Sequence, residues 1–334
     1  MAEPMSLSGW GGVRPEFKSE GQFEIIDGTC FSKDMTNVEA VRGMKTYDKM
    51  RDDDVIISSY PRSGTHWSIA LVDLVMHGGD IETVKERHIH ERSIWMDVPM
   101  TVFRGETDLS MKAIEETPNP MIVAESAPSP RLLSTHLPYN FMPESVKQGK
   151  CKVVAILRNP KSVLVSNHLL HAVPELFDVV PTLDNSIDAM LADTQDQMVY
   201  GSWYNHVSRW WLNRDKANIH CILYEDMKMN MGDVIKGLAR FLNKSIPNER
   251  IEKMAEHLQF DKMLKNPKTG KAFEKLQVDS LEATGQDLDA LKTSHMRKGT
   301  IDDWKTKLTV AQNERIDAHL GPKLKNIGLK FPSI

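Results

Sequence analysis

Two kinds of apolar run alternate along the chain. Residues 55–59 (VIISS) form a short, β-branched run behind three aspartates, the signature of a buried strand. Pro61, Ser63 and Gly64 interrupt it, and Trp67, Ala70, Leu71, Leu74 and Val75 then recur at helical spacing until Gly78 and Gly79. The pattern predicts strand, tight loop, helix. It returns at 151–157 (CKVVAIL), where Arg158 and Asn159 follow and Pro160 opens a helical stretch carrying Val163, Leu164 and Ser166. Further strands are predicted over 131–138 and 219–224. Helices are predicted over 38–50, around 185–193, and over 203–211, where Trp203, Val207, Trp210 and Trp211 make an aromatic core stripe. More follow at Val234 to Leu242, at 249–258 with Asn248 as cap, and at 310–320. Residues 169–198 read as a Pro-punctuated insertion over one end of the sheet, and 265–295 as a periodless flap. The expected fold is α/β: one domain, with a central parallel sheet and helices on both faces. Residues 1–50 are expected to form a loosely packed N-terminal extension on the core, and 51–334 the main domain.

Bulk properties narrow the partners. The 334 residues are 40% apolar and 26% charged, an ordinary globular mixture. A net charge of −4 argues against a nucleic-acid-binding surface, so anion binding must be local. Cys30, Cys151 and Cys221 are too few for a disulfide framework; the last two open strand-like runs and read as buried thiols in a reducing compartment. The N-terminus has no basic region followed by an apolar core, and no run approaches the ~18 apolar residues of a membrane span. A cytoplasmic protein without membrane contact is expected.

The chemistry concentrates in loops. A loop of small residues opening a helix leaves backbone N–H groups at the positive end of the helix dipole, which is an anion site. Arg62 and the hydroxyls of Ser63 and Thr65 add charge and donors. The triphosphate loop G-x-x-x-x-G-K-[ST] does not fit, because no glycine opens this loop and no lysine follows Gly64. From this stretch alone, a plain strand–turn–helix corner stays open. His88 and His90 form an H-x-H pair that nothing nearby completes, so they read as solvated histidines and no metal site is expected. Residues 93–103 (SIWMDVPMTVF) read equally as pocket lining or core. His136 stands near the end of the 131–138 strand; a lone histidine there is structural unless the first loop lies beside it. Arg62, His136, Arg158 and Tyr224 all fall at strand C-terminal ends, where open α/β sheets place their ligands.

With these motifs in order, the chain resembles the cytosolic sulfotransferases from residue 55 to about 319. YPRSGTHW resembles their 5′-phosphosulfate loop and RNPKSVLVS their 3′-phosphate motif; YGSWYNHVSRWW, LYEDM and RKGTIDDWKTKLTVAQNE resemble further family blocks. The resemblance implies 3′-phosphoadenosine 5′-phosphosulfate (PAPS) as donor, adenosine 3′,5′-bisphosphate (PAP) as product and no metal. It implies that Arg62, Ser63, Gly64, Thr65, His66 and Trp67 hold the phosphosulfate. Arg158, Ser166, Arg297, Lys298 and Gly299 would hold the 3′-phosphate; Trp67, Tyr224 and Phe260 would contact adenine. His136 would be the catalytic base, and Arg62 would stabilise the bridging oxygen. The acceptor would be a small, largely apolar molecule with a hydroxyl or amine. Residues 305–314 match the family's dimer motif K-x-x-x-T-V-x-x-x-E through Lys305, Thr309, Val310 and Glu314, implying a homodimer. Three positions depart from the usual pattern: Arg62 and Ser134 stand where lysine is common, and His66 where threonine is. Two other readings stay open, a dehydratase that uses the sulfate ester as a leaving group and a donor-binding homologue with weak or lost catalysis.

Overall fold

A computed structural model describes residues 23–33, 35–99, 118–171, 181–269 and 299–332. Two short strands, β1 (Phe23–Ile26) and β2 (Thr29–Ser32), form an antiparallel hairpin. Five parallel strands make the main sheet: β3 (Val55–Ser59), β4 (Ile94–Trp95), β5 (Leu132–Thr135), β6 (Lys152–Leu157) and β7 (Ile219–Leu223). Their order is β4-β5-β3-β6-β7, so β3 is the central strand.

Both faces of the sheet are covered, and the strand pleat sorts the side chains between them. Ile56, Leu133, Val153, Ala155 and Leu157 enter one core with the Trp203–Leu212 and Val310–Asn326 helices. Val55, Ile57, Leu132, Val154 and Ile156 enter the other, against the Thr65–Met76, Met231–Phe241 and Asn248–His257 helices. Burial on both faces is why these strands read as continuous apolar runs. At the N-terminal edge of the sheet, Arg131 forks onto both carboxylate oxygens of Asp54 and donates to the Ala124 and Lys49 carbonyls. Both partners of this pair are wholly buried. It joins the start of β3 to the start of β5 and holds the strand ends in register.

Several expectations need correction. The described part of the first 50 residues is not loosely packed: Cys30, Phe31 and Met44 are wholly buried. Asp27 and Gly28 both have positive φ, 49° and 77°, and make the tight β1–β2 turn that an Asp-Gly dipeptide favours. The first helix is only Val38–Met44, and the last runs on through Pro322 as Val310–Asn326 because Leu324 is still being buried. Asn248 is not a cap but the first helical residue after Pro247. Phe260 opens a short helix of its own, Phe260–Lys265. Cys221 is only half-buried, whereas Cys151 is buried. The flap expected at 265–295 lies mostly outside the described residues, as do 100–103 and the 172–180 part of the insertion.

Candidate active site

Because the five strands run parallel, their C-terminal ends share one edge of the sheet, and the chain leaves each through a candidate residue. After β3 the backbone turns sharply: the Ser63 N–H donates to the Tyr60 carbonyl at 3.1 Å, and Arg62 and Gly64 take φ of 67° and 90°. Only glycine adopts the second conformation freely. Space demands glycine there as well, since an added Cβ would lie 2.7 and 2.8 Å from two Tyr224 ring carbons. The Thr65–Met76 helix then starts with no side-chain cap at Gly64. Its first-turn amides face the end of the sheet, as an anion requires. The Ser59 and Thr65 hydroxyls are 2.7 Å apart, and the wholly buried Ser63 hydroxyl has no partner among the described residues.

Three further strand ends converge on this loop. Arg158 follows β6; its guanidinium lies 4.1 Å from the Tyr224 ring centroid and donates from Nη1 to the Arg62 carbonyl at 2.6 Å. Its buried Nε has no partner among the described residues. Arg62 donates from Nε to the Ser166 hydroxyl at 3.1 Å. Trp67 packs edge-on to Tyr224 at 5.3 Å and donates from its indole nitrogen to the Leu258 carbonyl. Two residues beyond Leu258, Phe260 presses on the Gly299 backbone so closely that a Cβ there would come within 2.3 Å of its ring. Arg62, Gly64, Trp67, Arg158, Ser166 and Tyr224 thus form one continuous surface, with Phe260 and Gly299 as a contacting pair. Arg297 and Lys298 lie outside the described residues. Orphaned donors on Ser63 and Arg158, beside a helix N-terminus that no side chain caps, fit a group with several anionic oxygens.

His136 leaves β5 next to this loop. Its Nδ1 is 2.8 Å from the Ser59 carbonyl oxygen, which can only accept, so Nδ1 carries the proton and Nε2 the lone pair. Burial pushes this imidazole down to about 4; the Ser59 bond opposes the shift and the Arg62 charge adds to it. The ring is held between Trp95, at 4.9 Å, and Tyr200, at 5.3 Å. Behind it, His206 donates from Nε2 to the His136 carbonyl at 3.1 Å and is itself pushed by burial to about 3.

Three histidine and serine positions turned out differently from, or beyond, expectation. His90 is not solvated: it is buried, pushed down to about 3 by that burial, and stands 5.4 Å edge-on from His66, which also faces Trp95. His88 lies 5.0 Å from His90, and the described residues contain no group of three or more metal-type side chains. In the 93–99 part of the ambiguous stretch Trp95, Met96 and Val98 are buried, and Trp95 also flanks the His136 ring. Ser134 is buried and its hydroxyl lies 2.6 Å from that of Ser93. Two carboxylates escaped the sequence reading. Glu225, wholly buried, accepts the Asn159 N–H at 3.0 Å and so ties the β7 end to the loop carrying Arg158. Asp97, also wholly buried, accepts the His136 N–H. The available signal was an acid inside an otherwise apolar stretch.

An uncapped helix N-terminus flanked by Arg62 and Arg158, with the His136 imidazole beside it, stands at the carboxyl edge of a parallel sheet, an arrangement with which α/β proteins hold anions. The profile described as Sulfotransferase domain matches residues 52–328, and the chain belongs to that family. It is 34% identical to Sulfotransferase 1A1 of Rattus norvegicus over 279 residues, 84% of this chain and 87% of that protein. It is 32% identical to Sulfotransferase 1 family member D1 of Mus musculus, covering 85% and 87%. A solved retinol dehydratase with androsterone and PAP shares the fold at a TM-score of 0.73 and 21% identity, covering 89% of this chain and 88% of the other. A mouse sulfotransferase complexed with PAP does so at 0.65 and 24%, covering 90% and 95%. The protein is therefore a single-domain α/β enzyme of the PAPS-dependent sulfotransferases, transferring a sulfuryl group to a small acceptor. Among the described residues, no helix is long and apolar enough to cross a membrane.

Proposed function

We propose that His136 is the general base of the transfer and that Arg62 stabilises the oxygen bridging sulfur and phosphorus. The observation that carries this reading is the bond from His136 Nδ1–H to the Ser59 carbonyl. It leaves Nε2 unprotonated and turned away from the strand, in reach of an acceptor proton near neutral pH. A hydroxyl is a poor nucleophile until its proton leaves, so removing it during attack is the base's contribution. Bound PAPS supplies the electrophilic sulfuryl group and a nucleotide leaving group. Arg62 and the 63–67 amides balance charge as it gathers on that leaving group, by analogy with phosphoryl transfer. Arg158, Ser166, Gly299, Arg297 and Lys298 hold the 3′-phosphate; Trp67, Tyr224 and Phe260 flank the adenine.

The acceptor in this reading is small and largely apolar, because the walls next to His136 are aromatic: Trp95 and Tyr200. A panel of phenols, sterols and alcohols with labelled donor, scored by product mass, tests it. Mass gained as sulfate supports transfer, and mass lost as water marks a dehydratase. Arg158→Ala should weaken PAP binding at least tenfold, since it removes a charged donor and the stacking partner of Tyr224. Unchanged affinity by calorimetry removes Arg158 from the site.

We assign the enzyme to the cytoplasm and to a homodimer joined through 305–314. Val310 is 73% exposed at the start of the last helix, directly after the Thr309 capping box. An apolar side chain so placed is available to a second copy. Val310→Glu should shift sedimentation from dimer to monomer; a variant and parent that sediment alike contradict this interface.

A further inference from the structure

The reading of His136 as base raises the question of what aims it, and the following rests on that reading. Asp97 lies two residues beyond β4 and is wholly buried. Its two oxygens stand 3.3 and 3.4 Å from the His136 N–H. The Thr135 and Tyr200 hydroxyls beside it favour its ionised form. The Thr135 oxygen in turn accepts the Leu137 N–H at 2.9 Å, so the backbone on both sides of His136 is tied to this carboxylate directly or through one hydroxyl. The Tyr200 backbone is left-handed, with φ of 66° followed by 82° at Gly201. A buried, bulky non-glycine residue held there is costly and persists where its surroundings over-determine it. Three contacts do so here: the Tyr200 N–H donates to the Cys30 carbonyl at 2.9 Å, its hydroxyl is 3.3 Å from that of Thr36, and its ring meets Phe31 at 5.7 Å. The same ring forms one wall of the His136 slot.

We propose that Asp97 is the positioning residue of the base: its carboxylate gathers the His136 amide and the Thr135 and Tyr200 hydroxyls, setting the imidazole between Trp95 and Tyr200 with Nδ1–H on Ser59. Asp97 touches neither donor nor acceptor. It acts by fixing the direction of the Nε2 lone pair, to which proton transfer is sensitive. An asparagine of the same shape offers one acceptor to three donors and turns its own N–H₂ toward one of them.

The test is a pair of variants in the full-length enzyme, Asp97→Asn and His136→Ala, alone and combined, with kcat, acceptor KM, PAP affinity and melting temperature measured. Asp97→Asn is expected to lower kcat about tenfold or more with PAP affinity unchanged, and to add nothing once His136 is alanine. Tyr200→Phe keeps the ring and deletes one donor, so a smaller fall in kcat with the same signature is expected; it stands in if Asp97→Asn does not fold. A normal kcat for Asp97→Asn beside an impaired His136→Ala overturns the proposal alone. A fall in kcat matched by lost PAP affinity and melting temperature also overturns it, as plain structural damage. If His136→Ala is itself silent, it is the assignment of the base that fails.

Discussion

His136→Ala should lower kcat by about a hundredfold or more while PAP affinity stays within twofold of the parent's. The imidazole stands at the sheet edge beside the anion loop, not within it, so its loss leaves the loop amides, Arg158 and Tyr224 in place. Turnover that survives the substitution would place the base elsewhere. The same ring predicts an unusual acid limb. Catalysis needs it neutral, and its proton affinity is pushed down from 6.5 to about 4. The imidazole itself therefore sets no limit until about 4, unlike a solvent-exposed histidine, and the loss of activity expected near pH 6 is that of the Asp97 carboxylate, which burial raises to about 6. Stability moves the same way. Unfolded His90, His136 and His206 take up protons near 6.5, whereas folded they do so at about 3 to 4. Between those values the unfolded chain binds more protons, so stability is lost as pH drops from about 6.5. Asp97, raised by burial from 3.8 to about 6, contributes with opposite sign and offsets part of the loss. Melting temperatures measured from pH 7.5 to 4.5 should fall steadily toward acid; a flat or rising curve contradicts the burial of these rings.

Gly64→Ala is the second large effect. The backbone there sits at φ of 90°, which costs an alanine about 1–2 kcal/mol. The new methyl would also meet the Tyr224 ring at 2.7 Å. That ring carries Arg158 on one face and Trp67 on its edge, so displacing it moves several donor contacts together. PAP affinity is expected to fall about a hundredfold, equivalent to roughly 2.7 kcal/mol. Gly28→Ala is the control: it has comparable backbone strain at φ of 77° but nothing within 4 Å of the new methyl. It should cost stability and leave affinity intact. Equal affinities for the two variants would separate the 60–64 loop from the donor.

How much of this was legible in the chain varies from residue to residue, for identifiable reasons. The strand–loop–helix at 55–76 was readable because strand, breaker and helical period are all local signals. His90 was misread because H-x-H spacing is local but its burial is not: the ring against it is His66, brought in from the Thr65–Met76 helix. The hairpin at 23–32 went unread although Asp27-Gly28 marks its turn, since two four-residue strands carry little periodicity by themselves. Asp97 was invisible as a functional group because its partners, Thr135 and Tyr200, are 38 and 103 positions away along the chain.

Residue order alone determined the class of fold and the family, because each rests on short-range pattern: alternating burial, a glycine where the chain must turn left-handed, and cations placed just past strand ends. Tertiary structure alone decided which nitrogen of His136 holds the proton, what wedges Gly64 against an aromatic ring, and which buried acid stands behind the imidazole. Those depend on distances between strand ends that pair in parallel, and parallel neighbours are joined by long crossovers, so the partners that set the chemistry lie far apart in the chain.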